Sequence, residues 1–291
     1  MSRLLQAGRF QLTLDRPLVM GILNLTPDSF SDGGRHASLE AALAHARRML
    51  DDGADLLDVG GESTRPGAVR VTVEEELARV LPVLRELARW NVPLSIDTCK
   101  TEVMRAALEL GVDLVNDIAA LEAPGALETV AASGAAVCLM HKQGEPQTMQ
   151  AAPHYDDVFE TVCAYLAQRR ESARAAGIAD ARIVLDPGFG FGKTFEHNLA
   201  LFRRLPELAA RCAPVLVGVS RKSMLGRLLP ASRSAAERDA ASVAAALLAA
   251  QAGASILRVH AVRDTVDAQK VWHALAAATE ADSAHGEFPY G

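Results

Sequence analysis

The sequence has no excess of positive charge. Its 291 residues carry 30 Lys+Arg against 36 Asp+Glu, a formal net charge of -6, so no overall field draws it to a nucleic-acid backbone. Any anion must be captured by a local cluster. Long hydrophobic runs are also missing: the longest, such as Ala240–Ala250, are too short and too Ala-rich to span a bilayer, and Met1–Phe10 lacks the apolar stretch of a signal peptide. A cytoplasmic protein is the expectation, with neither a nucleic-acid nor a membrane partner. Cysteine is scarce: Cys99, Cys138, Cys163 and Cys212 lie far apart without metal-ligand or C-x-x-C spacing, which argues against a disulfide framework and a zinc site. Aromatics make up only 4%, but 49% hydrophobic and 23% charged residues fall in the globular range, outside the disordered, collagenous and coiled-coil ranges.

What the chain does have is a repeated unit. Short apolar runs recur at Leu18–Asn24, Leu56–Gly60, Leu94–Asp97, Leu114–Asp117, Ala136–Met140, Ile183–Asp186, Val215–Gly218 and Ile256–Val259. Between them lie stretches of helical period: Leu39–Asp52, Glu74–Trp90, Thr101–Leu110, Tyr155–Ala176, His197–Arg211, Arg238–Ala252 and Asp264–Ala278. Glycines at 53, 111, 134, 177 and 253 sit where helices should stop before the next strand. Eight βα units predict a single α/β domain, a (β/α)8 TIM barrel over residues 1–291 with its core at about 17–279. A doubly wound open sheet is the alternative. The tail Ala281–Gly291 reads as a frayed end.

In a barrel, function sits at the carboxyl ends of the strands, and here those ends are polar. The runs end in Asn24, Asp97, Asn116-Asp117, His141 and Asp186; Ser220-Arg221-Lys222-Ser223 follows the seventh, and Arg258 to His260 closes the eighth. Asn and Asp also favour turns for local reasons, but seven such ends together point to one polar pocket. Carboxylates and carboxamides suit a flat heterocycle rich in N–H groups, while Lys222, Arg258 and His260 suit an anion. Two loops, Thr26–Gly34 and Gly60–Gly67, each carry one large group, Phe30 or Arg65, able to close over a ligand. Gly188–Thr194 suggests a phosphate loop, yet Pro187 stands where that motif needs glycine; the segment reads as a tight turn that brings backbone and Phe191 near a ligand. Ser220, Ser223 and Cys99 lack the partners of a covalent nucleophile, and Lys222 reads as a charged binding group.

These residues resemble dihydropteroate synthases. The similarity covers about Pro17 to Ala268 and rests on Met20–Gly34, Asp58–Gly67, Ser95–Thr98, Val115–Ile118, Met140-His141, Asp186–Lys193, Ser220–Ser223 and Arg258–His260. The resemblance implies a barrel that joins 6-hydroxymethyl-7,8-dihydropterin diphosphate to p-aminobenzoate with magnesium as cofactor. It implies pterin contacts from Asp97, Asn116, Ile118, Met140, Asp186, Lys222 and Arg258, the last lying over the ring. It implies a diphosphate site at Asn24, Thr64, Arg65, Arg258 and His260, with Asn24 near the metal. A p-aminobenzoate site of Phe30, Thr64, Pro66, Phe191, Lys222 and Ser223 follows in the same way. Asp97, Arg65 and Lys222 are then the groups closest to the chemistry.

Two related readings exist: a pterin-dependent methyltransferase domain, which needs neither the diphosphate residues nor the two loops, and a non-catalytic pterin-binding paralogue, which would be expected to have lost some of them. All are present here. The segment Lys142–Pro146 departs from the family's theme. A homodimer is expected through the Ala-rich stretches Arg238–Ala252 and Asp264–Ala278.

Overall fold

The computed structural model describes residues 3–25, 34–63, 68, 70–145 and 148–284. Eight parallel strands form one sheet: β3 (Leu18–Asn24), β4 (Leu56–Gly60), β5 (Leu94–Asp97), β6 (Leu114–Asp117), β7 (Ala136–Met140), β8 (Ile183–Asp186), β9 (Leu216–Val217) and β10 (Ile256–Val259). Neighbours in sequence pair from β3 through β8, and β10 bridges β3 to β9. A parallel bridge between Leu185 and Val215, with the Leu185 amide donating to the Pro214 carbonyl at 3.0 Å, brings β8 against β9. The ring so formed is a nearly closed (β/α)8 barrel.

The helices are α1 (Gly34–Asp51), α2 (Val73–Leu87), α3 (Thr101–Glu109), α4 (Ala126–Ala131), α5 (Val158–Ala175), α6 (Phe195–Arg203), α7 (Leu205–Cys212), α8 (Ser223–Gly226), α9 (Asp239–Gln251) and α10 (Val262–Ala284). Seven of the eight predicted strands match the observed bounds. The seventh shrinks to Leu216–Val217 because the Val215 carbonyl takes two amides, Ser255 at 2.8 Å and Ile256 at 3.1 Å, and leaves the regular ladder. The predicted helix His197–Arg211 is two helices. Pro206 has no N–H and its ring would meet the carbonyl of Phe202, so the chain restarts at Arg204, which caps both. The stretch expected to fray is helical as far as Ala284.

A two-stranded hairpin, β1 (Leu4–Ala7) and β2 (Phe10–Thr13), precedes the barrel and has no counterpart in the sequence reading. Its Leu5 and Ala7 join Leu18, Met20, Leu56, Leu114, Ala136, Cys138, Val184, Leu216 and Ile256 in one buried cluster. The hairpin therefore closes the amino end of the barrel. Asp113 holds it there, accepting from the Arg9 amide and guanidinium at 2.9–3.1 Å.

Strand parity separates two layers. Val19, Leu23, Leu57, Val59, Ile96, Val115, Val137, Leu139, Leu185 and Leu257 face the helices in a second cluster, while their neighbours point inward. Inside, the apolar layer of the hairpin cluster gives way, toward the carboxyl ends, to Asp58, Ser95, Asp97, Asn116, Asp186 and Arg258. The register reinforces this: Asn24 pairs with Gly60, Gly60 with Asp97, and Asp97 with Asn116. Among the described residues no helix is long and apolar enough to cross a membrane.

Candidate active site

The inward polar layer is a bonded cluster. Arg258 lies across it, its Nε donating to Asp58 Oδ2 at 2.6 Å and its Nη2 to Asp97 Oδ2 at 2.6 Å. Asn116 Nδ2 donates to the same Asp58 oxygen at 3.1 Å, and Ser95 Oγ donates to Asp58 Oδ1 at 2.5 Å. Asp58, fully buried, is thus the hub that fixes Arg258 and Asn116. Sequence reasoning missed it because it stands inside the run Leu56–Gly60 rather than at its end. Its signal was parity, since Asp58 shares the inward face with Leu56.

These bonds leave Asp97 Oδ1 and Asn116 Oδ1 as acceptors. Burial pushes the Asp97 carboxyl up to about 7, against the pull of Arg258 and with a further push from Asp58. Asp186 is raised by burial too, opposed by Lys222 and by the Gly188 amide, which donates to Asp186 Oδ1 at 2.7 Å. Burial lowers Lys222 to about 8, with Asp186 pulling upward. Its Nζ donates to the Phe189 carbonyl at 2.5 Å and lies 4.7 Å from the centre of the Phe191 ring. Ile118, Met140, Met149 and Phe191 form a small apolar cluster flanked by Cys99. The result is an apolar wall beside three hydrogen-bond acceptors and two cations, a surface matched to a flat, N–H-rich ring. A cavity of about 330 Å³ opens beside Asp97, Cys99 and Ile118.

Asn24 stands at the mouth: a Cβ on Gly60 would lie 3.7 Å from both Asn24 Oδ1 and Asp97 Oδ2. His260 Nδ1 meets Ser220 Oγ at 2.9 Å. Ser223 lines a different cavity, of about 280 Å³, with Gln150, Phe195 and Arg227; neither Lys222 nor Phe191 borders it. Phe30, Thr64, Arg65 and Pro66 lie outside the described residues.

Some polar strand ends serve the fold instead. Asp117 accepts from the amides of Ala119 and Leu121, both at 2.7 Å, and closes the turn after β6. Arg221, at φ +61°, gives its guanidinium to Asp239 of α9 at 2.7 and 2.8 Å. The His141 imidazole packs edge-on against Tyr165, its pKa lowered to about 3 by burial and by Lys193. At the base of the second loop, Lys100 Nζ bridges Glu62 and the buried Glu76 at 2.5 Å each, a charge triad unforeseen in the sequence.

Comparison with known proteins gives the family. The pterin binding enzyme family matches residues 20–260. The dihydropteroate synthase of Neisseria meningitidis serogroup B is 56% identical over 276 residues, 93% of this chain and 96% of that protein. The solved dihydropteroate synthase of Xanthomonas albilineans with 4-aminobenzoic acid superposes with a TM-score of 0.89 at 52% identity, covering 95% of this chain and 99% of the other. That of Burkholderia cenocepacia complexed with 7,8-dihydropteroate gives 0.88 at 51% identity, covering 97% and 99%. The chain belongs to the pterin binding enzyme family, as a transferase of the dihydropteroate synthase type.

Proposed function

We propose that the chain condenses 6-hydroxymethyl-7,8-dihydropterin diphosphate with p-aminobenzoate, releasing diphosphate. The observation that carries this reading is the cluster of Asp58, Asp97, Asn116 and Arg258 at the carboxyl end of the barrel, with Asp186 and Lys222 beside it. Asp97 and Asn116 offer acceptor oxygens to ring N–H groups, Asp186 a further one, and Lys222 a donor. Ile118 and Met140 supply the flat apolar wall, and Arg258 backs the ring.

The reaction breaks the bond between the exocyclic methylene and diphosphate oxygen and forms one from that carbon to the aniline nitrogen, which then loses a proton. An electron-rich pterin tolerates positive charge on the methylene, so diphosphate departs before the weak nucleophile is fully engaged. The protein's task is then electrostatic. Asp97 and Asp186 stabilise the cationic ring; Asn24, Thr64, Arg65, Arg258 and His260 receive the departing anion. One donor aimed at developing charge lowers such a barrier by about 3–4 kcal/mol. Phe30, Thr64, Pro66, Phe191, Lys222 and Ser223 hold the p-aminobenzoate. Loops closed over the site would exclude water that otherwise intercepts the cation.

Magnesium fits this donor set as a partner of the substrate. No group of three or more His, Cys, Asp or Glu placed to hold a metal occurs among the described residues. The Asn24 carboxamide oxygen at the mouth would be one hard ligand, as suits an ion that takes its other ligands from phosphate oxygens and water. Bound there, it would neutralise charge on the leaving diphosphate. The second expected partner is another copy of the chain, seated on α9 and α10, where Leu248 and Val271 are 55% and 60% exposed.

The test is direct: mix the protein with pterin diphosphate, p-aminobenzoate and magnesium, and measure dihydropteroate and released diphosphate. Pterin binding without product would favour the non-catalytic paralogue.

A further inference from the structure

The turn Gly188–Gly192 has each of its five carbonyls engaged by a side chain. Lys193 Nζ donates to Gly188 O at 2.8 Å and to Phe191 O at 3.1 Å; Lys222 Nζ donates to Phe189 O at 2.5 Å; Tyr155 Oη donates to Gly192 O at 2.7 Å; Gln150 Nε2 donates to Gly190 O. Two amides are held likewise, Gly188 N by Asp186 and Gly190 N by Asn198, both at 2.7 Å. Gly188, Gly190 and Gly192 all have positive φ, +66°, +82° and +60°. A Cβ at Gly188 would fall 1.9 Å from the His141 carbonyl, and one at Gly192 would fall 2.1 Å from that of Gln143. The turn therefore lies directly on the backbone after β7, in a shape that side chains impose from outside.

Lys193 is the centre of that arrangement. It is 2% exposed and touches no carboxylate among the described residues, although the Asp186 charge favours its protonated form. Besides the two turn carbonyls, its Nζ lies 2.9 Å from His141 Nδ1 and 3.4 Å from His141 O. A buried ammonium is costly unless its protons are met, and burial lowers Lys193 to about 7; when it carries its proton, carbonyls and a neutral imidazole meet it. The ammonium thus clamps the turn after β8 to the end of β7, whose Met140 shares an apolar cluster with Phe191. A packing role alone would be served by methionine, with no desolvation cost.

We propose that Lys193 is a positioning residue for the p-aminobenzoate site, its ammonium fixing the turn so that Phe191 and the Phe189 carbonyl hold Lys222 in register with the second substrate. This rests on the reading under Proposed function, so the wild-type assay comes first: no dihydropteroate from wild type defeats that reading and leaves the clamp unaddressed only until aminobenzoate binding is measured by calorimetry, which then carries the comparison. Lys193→Met keeps the length and removes the donor. The KM for p-aminobenzoate, or its Kd, should rise about tenfold or more, since small misplacements of binding groups have large effects. Affinity for pterin should fall less, by about threefold, because Asp58, Asp97, Asn116 and Arg258 do not bond the turn and only Asp186 and Lys222 do. Should Lys193→Met fail to fold, the double variant Gln150→Ala/Tyr155→Phe loosens the same turn from its outer side, and the same parameter should rise about threefold. An unchanged aminobenzoate parameter in a folded variant, with only Tm lowered, overturns the proposal; so does an equal loss of affinity for both substrates.

Discussion

Asp58 and Arg258 are 200 residues apart in the chain and meet inside the barrel, guanidinium Nε to carboxylate Oδ2 at 2.6 Å. The pairing explains why a largely enclosed arginine, 20% exposed, is tolerated there, since Asp97 takes a second face of the same cation. It also makes Asp58 the support of Arg258 and Asn116, two groups of the proposed pterin site. Asp58→Asn keeps the shape and removes the charge that orders Arg258 and Asn116. Charge-assisted bonds contribute about 1.5–3 kcal/mol each, so pterin affinity measured by calorimetry should fall roughly 10- to 100-fold. Affinity equal to wild type would show that Arg258 is held well enough by Asp97 alone.

Asp97 carries the opposite liability. Its carboxyl, raised to about 7 by burial, is ionised at the expense of folding. In linkage terms, a carboxyl raised above its unfolded value leaves stability intact below the unfolded pKa and removes it as pH rises through the folded one. Asp97→Asn should therefore melt several degrees above wild type at about pH 8, with the gap narrowing toward about pH 4. Turnover should be lost, and wild-type kcat/KM should rise with pH through about 7 as Asp97 ionises. A variant that melts lower than wild type at every pH, or turns over normally, would contradict this account.

The strands were legible because parallel barrel strands are covered on both faces and read as continuous apolar runs. The same reason made their polar ends conspicuous, and Asp97, Asn116, Asp186 and Arg258 lie together as expected. Groups that act through another residue were not legible. Asp58 sits mid-strand; Lys193 follows a glycine-rich turn whose failed phosphate-loop spacing drew attention from the lysine; Glu76 and Lys100 lie on separate elements with nothing local to relate them. The hairpin at Leu4–Thr13 escaped because each strand has four residues, too few for alternation to stand out.

The outer surface carries the expectation of a dimer. Leu248 on α9 and Val271 on α10 are large apolar groups more than half exposed, on helices whose small side chains allow close approach. Light scattering after gel filtration should give twice the chain mass for wild type. Leu248→Glu/Val271→Glu should give the single chain mass, since two charges at the centre of a symmetric interface are each met by their own copy. A double variant that remains dimeric would move the interface elsewhere.

Lys100 offers a test of what supports the second loop. Its ammonium bridges Glu62 and Glu76, and Glu76 is fully buried with Oε1 unpartnered among the described residues. Glu62 precedes Thr64 and Arg65 in the sequence, and the triad ties Glu62 to α2. Removing one partner of a buried pair typically costs about 3–5 kcal/mol, because the remaining charge is stranded. Lys100→Met should lower stability in urea by that order, and Lys100→Met/Glu76→Gln should recover most of it by removing the stranded charge. The recovered protein would still lack the tie at Glu62. If the triad positions the loop, its KM for both substrates should stay raised while its stability returns. A double variant restored in stability and kinetics alike would confine the triad to folding.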